Sequence, residues 1–439
     1  MKKLVINGGI KLNGEIAISG AKNAALPILV SSLLLDGELT VSNVPNVSDL
    51  SLLINLLSHL GAKVTMDCDL SNKKDSGKIL IINSSELNNE TAPYDIVSKM
   101  RASFLVIGPL LARLGQAKVS LPGGCAIGSR PVDIHLEALK EMGAEIIVDK
   151  GYVNATAKNG RLKGANIYFR FPSVGATQNL MMAACLAEGT TVLNNCAKEP
   201  ETVDLGNCLI QMGAKIKGVG TSRIEIEGVK KLNSIKYNIM GDRIEAFTYM
   251  CAALMTNGEL ILKNLDFDAT LSNPMEKLGA IGADITRIDN KSIKIRRGLE
   301  RLSPINIVTE VFPGFPTDMQ ATVMALLAMI DGESSIDETI FENRFMHVPE
   351  LNRMGANIVI QGNKAIIKGK KDCYSASETM ATDLRAGAAL VLAGLSAPSG
   401  ETIIHKIYHV ERGYENFADK LRACGAELEL MKDEEKLIE

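Results

Sequence analysis

Leu60-Gly61-Ala62-Lys63-Val64 recurs as Met142-Gly143-Ala144-Glu145-Ile146, Met212-Gly213-Ala214-Lys215-Ile216 and Ile281-Gly282-Ala283-Asp284-Ile285. It appears twice more, as Met354-Gly355-Ala356-Asn357-Ile358 and Cys424-Gly425-Ala426-Glu427-Leu428. In each copy an amphipathic run ends in Gly-Ala and passes into an alternating, strand-like segment. The glycines are spaced by 82, 70, 69, 73 and 70 residues, and a steady period of this kind marks a repeat architecture. A second phrase keeps step: an Ala/Leu-rich helix, a glycine, then a short strand. It is read at Leu35-Asp36-Gly37-Glu38-Leu39, Ala187-Glu188-Gly189-Thr190-Thr191, Asn257-Gly258-Glu259-Leu260 and Ser399-Gly400-Glu401-Thr402. With Gly115 and Gly332 its intervals are 78, 74, 69, 74 and 68 residues.

Each unit reads strand–helix–strand–helix–strand, and the glycine after each helix suits a left-handed C-terminal position where a Cβ would clash. Helical stretches such as Met181 to Leu186 and Leu384 to Leu395 have almost no polar side, which predicts burial on all faces. Buried helices inside outer sheets reverse the order of a TIM barrel. The expected fold is α/β: a two-lobed inside-out α/β barrel built from six repeats, three per lobe. Residues 22–240 form the first lobe, and residues 1–21 with 241–439 form the second. The chain then crosses between lobes twice, and a substrate cleft is expected between them.

Composition narrows the function. Lys+Arg 48 against Asp+Glu 51 leaves a net charge of -3, which argues against a nucleic-acid partner. The longest apolar runs fall well short of a membrane span, and the first residues lack a signal-peptide core. Eight scattered cysteines include no Cys-x-x-Cys pair, so neither a metal site nor a disulfide framework is expected, and the compartment is reducing: cytoplasmic. No metal and no organic cofactor is suggested.

Several stretches carry chemistry. Gly20-Ala21-Lys22-Asn23 offers a point charge and an amide beside a small-residue turn, though such a pair alone reads more often as surface than as site. In Pro122-Gly123-Gly124-Cys125-Ala126-Ile127-Gly128-Ser129-Arg130, a cysteine stands between glycines with an arginine five residues on. That is either a mobile reactive loop, where Arg130 favours the thiolate, or a turn with an incidental thiol. Pro313-Gly314-Phe315-Pro316-Thr317-Asp318 places Asp318 before an apolar helix; alone, the segment reads better as a helix cap than as a general base. Acid–base pairs recur at Glu342 and Arg344, Asp383 and Arg385, and Glu411 and Arg412, where internal ion pairing is the simpler explanation. Yet Lys22, Arg101, Arg130, Arg344, Arg385 and Arg412 all fall at helix starts or loops, a pattern suited to multiply charged anions.

Together these motifs resemble the UDP-N-acetylglucosamine 1-carboxyvinyltransferase family of enolpyruvyl transferases. The match runs along essentially the whole chain: Gly-Ala-Lys-Asn-Ala at 20–24, Pro-Gly-Gly-Cys at 122–125, Arg-Pro-Val-Asp at 130–133, Ser-Val-Gly-Ala-Thr at 173–177, Pro-Gly-Phe-Pro-Thr-Asp-Met-Gln at 313–320, Phe-Glu-Asn-Arg-Phe at 341–345, Thr-Asp-Leu-Arg at 382–385 and Arg-Gly-Tyr-Glu at 412–415. The resemblance implies two small-molecule substrates, phosphoenolpyruvate and UDP-N-acetylglucosamine. Lys22, Arg130 and Arg412 would hold the phosphoenolpyruvate, Cys125 would serve as general acid and as the thiol that fosfomycin alkylates, and Asp318 would take the sugar hydroxyl proton. Asn23, Arg101, Ser173, Val174, Gly175 and Ile340 would bind the sugar nucleotide. Pro131, Val132, Asp133, Ile134 and His135 would lie, with Arg130, near the uridine. Arg344 is assigned to substrate binding, and Asp383 with Arg385 would act across the closing cleft.

Two positions depart from the family pattern. Met240-Gly241 stands where Ile-Pro or Leu-Pro is usual, and Phe247 stands for a glycine; glycine for proline is expected to loosen the linker. The competing functions are a non-catalytic UDP-sugar-binding paralogue and 5-enolpyruvylshikimate-3-phosphate synthase, which shares the chemistry but lacks the cysteine loop.

Overall fold

The computed structural model describes residues 2–67, 78–122, 132–299 and 301–432. Two compact units result: one takes the chain up to Ile18 and from Gly241 onward, the other the chain from Ser19 to Met240. Three four-stranded sheets belong to each.

The repeat is most easily followed in the unit from Ser19 to Met240. Strand Asn166–Tyr168 leads into helix Val174–Ala184, strand Thr190–Asn194, helix Pro200–Gln211, and the strands Lys215–Lys217 and Arg223–Glu227. The first two strands pair in parallel across the helix, and the last two form an antiparallel hairpin. Each repeat therefore carries four strands, one more than the sequence suggests. The extra one is the hairpin's return strand.

Three helices in each unit are buried almost throughout: Lys22–Ser31, Ile107–Leu114 and Val174–Ala184 in one, Arg243–Met255, Gln320–Ala328 and Leu384–Ser396 in the other. They form the centre of two separate apolar cores. A helix with no polar face is stable only when enclosed, and the sheets enclose it. The fold is the inside-out α/β arrangement.

The glycines of the Gly-Ala phrase, at 61, 143, 213, 282, 355 and 425, all have positive φ, as a left-handed helix terminus requires. The second set divides. Gly115, Gly189, Gly332 and Gly400 have positive φ, whereas Gly37 and Gly258 are needed for close approach. A Cβ would fall 2.5 Å from Ser234 Oγ at the first and 2.0 Å from the Leu12 carbonyl oxygen at the second.

The N-terminal strands serve two different sheets. Lys2–Asn7 pairs with Glu401–His405 and Glu427–Lys432, while Asn13–Ala17 pairs in parallel with Glu259–Lys263. Ile235–Asn238 makes the matching parallel pair with Glu38–Val44 in the other unit. Both passages between units thus follow the same kind of edge strand and precede a buried helix. Asn264 and Asn43, each with positive φ, donate side-chain hydrogen bonds to the Ile18 and Ile239 carbonyls at 2.9 and 2.8 Å. Gly241 is packed rather than loose: a Cβ would lie 2.3 Å from the Asn264 carbonyl oxygen, as one at Gly20 would lie 1.8 Å from that of Asn43. Phe247 is buried and meets Phe315 edge to face at 5.6 Å.

Candidate functional site

In the unit that starts again at Gly241, chemistry gathers at the N-termini of the buried helices. Asp242 caps one: its Oδ1 accepts from the Ile244 and Glu245 N–H groups at 2.8 and 3.0 Å. Asp383 caps another, accepting from Arg385 and Ala386 at 2.8 and 3.0 Å. Asp318 lies in the short turn Thr317–Met319, where the N-cap positions fall on Pro316 and Met319. Its carboxylate instead accepts from Arg344 Nη2 at 2.7 Å and Arg385 Nη2 at 3.3 Å. Both arginine side chains are 5% exposed, against 27% for Asp318. The cap suggested by the local sequence gives way to a carboxylate held between two buried guanidiniums.

Those guanidiniums are themselves supported. Burial opposes the charge on Arg385, yet Tyr414, Asp318 and Asp242 together hold its pKa above the ordinary arginine value. The guanidinium carbon lies 5.4 Å from the centre of the Tyr414 ring, whose hydroxyl is 2.9 Å from Thr248 Oγ1. Arg344 sits 5.6 Å over the Phe341 ring. His347 is buried nearby; desolvation and the Arg344 charge push its pKa down to about 4, against the opposing pull of Asp383. Burial thus favours the neutral imidazole, whose Nε2 lies 3.3 Å from Met324 Sδ. Arg412 ends the turn Ile407–Arg412, and its charge also lowers the pKa of half-buried His409 after burial itself. Ile340 follows strand Gly332–Asp337 at a partly exposed position.

The unit from Ser19 to Met240 has a different set. Lys22, the first residue of its helix, pairs with Asp49 at 3.1 Å, and both side chains are buried. Asn23 follows, half-buried. Arg101 opens the turn Arg101–Val106, against which the Lys22 helix packs. Its charge adds to burial in lowering the pKa of His135 to about 3. His135 meets Phe104 edge to face at 5.6 Å. The same ring approaches Gly175, where a Cβ would lie 3.3 Å from His135 Cε1. Ser173 caps the helix that begins at Val174, accepting from the Ala176 N–H at 3.3 Å. Val132 precedes the helix Asp133–Glu141, which carries Ile134, and Asp133 pairs with Arg170.

Arg101, His135 and Gly175 are therefore brought into one neighbourhood, as are Asp318, Arg344 and Arg385 in the other unit. Cys125, Arg130 and Pro131 lie outside the described residues. Among the described residues no group of three or more His, Cys, Asp or Glu is placed to hold a metal ion, and no helix is long and apolar enough to cross a membrane.

Three residues of this architecture escape motif reading. Asp49 follows Ser48 at a helix start, where an acid is ordinary. Tyr414 is visible only as part of Arg412-Gly413-Tyr414-Glu415. Glu338, buried at the end of a strand, precedes the Phe341-Glu342-Asn343-Arg344 motif by three residues; an acid followed so closely by a dense polar–aromatic run is the signal for it.

The family model of EPSP synthase (3-phosphoshikimate 1-carboxyvinyltransferase) matches residues 6–421. A UDP-N-acetylglucosamine 1-carboxyvinyltransferase from Paramagnetospirillum magneticum is 48% identical over 433 residues, covering 99% of this chain and 99% of that protein. Another from Granulibacter bethesdensis is 51% identical over 429 residues, covering 98% and 99%. Among solved structures, the enolpyruvyl transferase NikO from Streptomyces tendae has the same fold, with a TM-score of 0.87 at 23% identity over 98% of this chain and 99% of that one.

Proposed function

The chain belongs to the EPSP synthase family, and within it to the UDP-N-acetylglucosamine 1-carboxyvinyltransferases, and on that premise we propose which of its residues perform the reaction. The reaction moves the enolpyruvyl group of phosphoenolpyruvate to the 3′-hydroxyl of UDP-N-acetylglucosamine and releases phosphate, a step in making cell-wall precursors.

Asp318 takes the proton as the sugar oxygen bonds to C2 of phosphoenolpyruvate, while C3 gains a proton from Cys125. The tetrahedral adduct then gives a C3 proton back to the Cys125 thiolate as the C2–phosphate oxygen bond breaks; the vinyl double bond returns, and phosphate leaves with the proton held by Asp318. Lys22, Arg130 and Arg412 hold the phosphate and carboxylate. Asn23, Arg101, Ser173 to Gly175, Arg130 to His135 and Ile340 bind the sugar nucleotide. Asp383 caps its own helix, which fixes the start of the segment carrying Arg385.

The observation that carries the assignment is Asp318 between Arg344 and Arg385. A carboxylate so paired is a reluctant base, because two cations favour its charged form. An arriving polyanion competes for those guanidiniums and leaves Asp318 freer to accept a proton. Base strength is thereby tied to substrate binding. The six described cysteines are all free, which suits work in the reducing cytoplasm.

The test is phosphate release from phosphoenolpyruvate with UDP-N-acetylglucosamine, with shikimate 3-phosphate, or with neither, before and after fosfomycin. Release that requires the sugar nucleotide and is lost on alkylation is the expected result. Release with shikimate 3-phosphate instead, or survival of alkylation, contradicts the substrate or the Cys125 assignment respectively.

A further inference from the structure

We propose that Glu338 is a positioning residue that locks the base Asp318 and the nucleotide-binding backbone at Ile340 into one frame; this rests on the roles given to Asp318 and Ile340 above. Glu338 is 2% exposed. A buried carboxylate costs several kcal/mol unless donors surround it, and here three do. Its Oε2 accepts from Thr317 Oγ1 at 2.9 Å. Its Oε1 accepts from the backbone N–H groups of Ile340 at 2.9 Å and Phe341 at 3.1 Å. The Glu338 N–H donates to the Asn363 carbonyl at 2.8 Å, which ties the segment to the adjoining hairpin turn.

These bonds close a circuit. Thr317 is the immediate neighbour of Asp318. Asp318 pairs with Arg344, Arg344 lies over the ring of Phe341, and the Phe341 N–H returns to Glu338. Asp318 is thus fixed both along its backbone, through Thr317, and at its carboxylate, through Arg344. Backbone stitching at Thr339, whose hydroxyl and N–H bond to Thr309 at 2.5 and 3.0 Å, holds the same corner from the opposite strand. A carboxylate used only to plug a turn would need the Ile340 and Phe341 contacts alone. The bond to Thr317 links the element that recognises the sugar nucleotide to the element that removes its proton. Displacing a base by about 1 Å costs on the order of 100-fold in rate, so such a link has a catalytic consequence without touching substrate.

Thr317→Val and Glu338→Gln separate the two arms. Thr317→Val cuts only the link to the base: kcat is expected to fall roughly 10- to 100-fold while KM for UDP-N-acetylglucosamine stays within about threefold. Thr317→Ser, which restores the hydroxyl, is expected to recover most of that loss. Glu338→Gln disturbs both arms and is expected to lower kcat and also raise KM for the sugar nucleotide. If both Thr317→Val and Glu338→Gln keep kcat and KM within about twofold of the parent while Asp318→Ala is inactive, the frame is refuted and the base stands. An active Asp318→Ala instead removes the base assignment, and the frame with it.

Discussion

The buried helices of the two units begin in opposite ways. From Gly241 onward, two of the three start with an acid that caps them: Asp242 and Asp383 accept the first N–H groups. Between Ser19 and Met240 the corresponding starts fall on Ala21, Val106 and Ser173, and only the serine supplies a side-chain cap. Lys22 and Arg101 stand at helix or turn starts in that unit. A helix N-terminus carries partial positive charge; adding a cation there is unfavourable until an anion arrives. In the unit from Gly241 onward two helix ends are met by their own acids, and Arg243 and Arg385 follow those acids in the first turns. In the other, Lys22 at its helix start is balanced by Asp49. Asp318, in the unit from Gly241 onward, stands between guanidiniums rather than at an N-cap position, and it is the acid proposed above as the base.

The comparison is most severely tested at Asp318. Asp318→Ala is expected to lower kcat by on the order of 10³-fold, with UDP-N-acetylglucosamine binding still measurable by calorimetry; near-normal turnover would reduce Asp318 to a partner for two arginines. Lys22→Ala comes next. It removes the ion pair of buried Asp49 and is expected to cost about 3 kcal/mol in denaturant unfolding, besides raising KM for phosphoenolpyruvate. Adding Asp49→Asn should return part of the stability and none of the affinity. If both return together, Lys22 serves packing and the contrast between units collapses.

A smaller effect follows from pH. Burial and a nearby Glu201 raise Asp204 to about 6, against the bonds from Tyr237 and the Met240 N–H. An acid raised in the folded state contributes stability below its unfolded pKa and loses it as pH rises through 6. His135 runs the other way: lowered to about 3, it favours folding above its ordinary pKa and loses that contribution as pH falls. Asp204→Asn should therefore make stability rise more steeply between about pH 4 and 6, by roughly 1 kcal/mol per pH unit. An unchanged slope in urea titrations would show that Asp204 ionises no differently once folded. The smallest expected change is at Asp383. Asp383→Ser keeps a capping oxygen and should cost less than about 0.5 kcal/mol, where Asp383→Ala costs about 1. Lost activity in the stable Ser variant would give the carboxylate a part beyond its helix.

The repeat was legible because geometry left one residue type for the left-handed helix terminus, and six glycines answered to it. The hairpin's return strand was harder to see, although Asp149-Lys150-Gly151-Tyr152 announces one turn: Lys150 and Gly151 both have positive φ between strands Ala144–Asp149 and Tyr152–Ala157, the pairing expected of a tight two-residue loop. Edge strands as short as Thr91–Ala92 carry no alternation at all. At the site, charged residue types pointed to anions, but Asp318 could not be told from a cap, since a carboxylate before a helix suits both roles. Only the positions of Arg344 and Arg385, distant in sequence, separate them. Glu338 left only the faint signal of an acid before a dense polar–aromatic run, because its partners are backbone N–H groups and a threonine hydroxyl, which no residue type announces.

The Lys2–Asn7 strand pairs with strands at Glu401–His405 and Glu427–Lys432, nearly the whole chain away. On the ribosome it therefore emerges long before anything it can pair with. At roughly 5–20 residues per second the wait runs to tens of seconds, during which the stretch from Ser19 to Met240 can fold to completion. The interim leaves Leu4, Val5 and Ile6 unsheltered, guarded by Lys2 and Lys3 in the manner of residues that discourage stray strand pairing. The order of assembly is thus written into the topology: the unit from Ser19 to Met240 can fold before the sheet that holds Lys2–Asn7 receives its Glu401–His405 and Glu427–Lys432 strands.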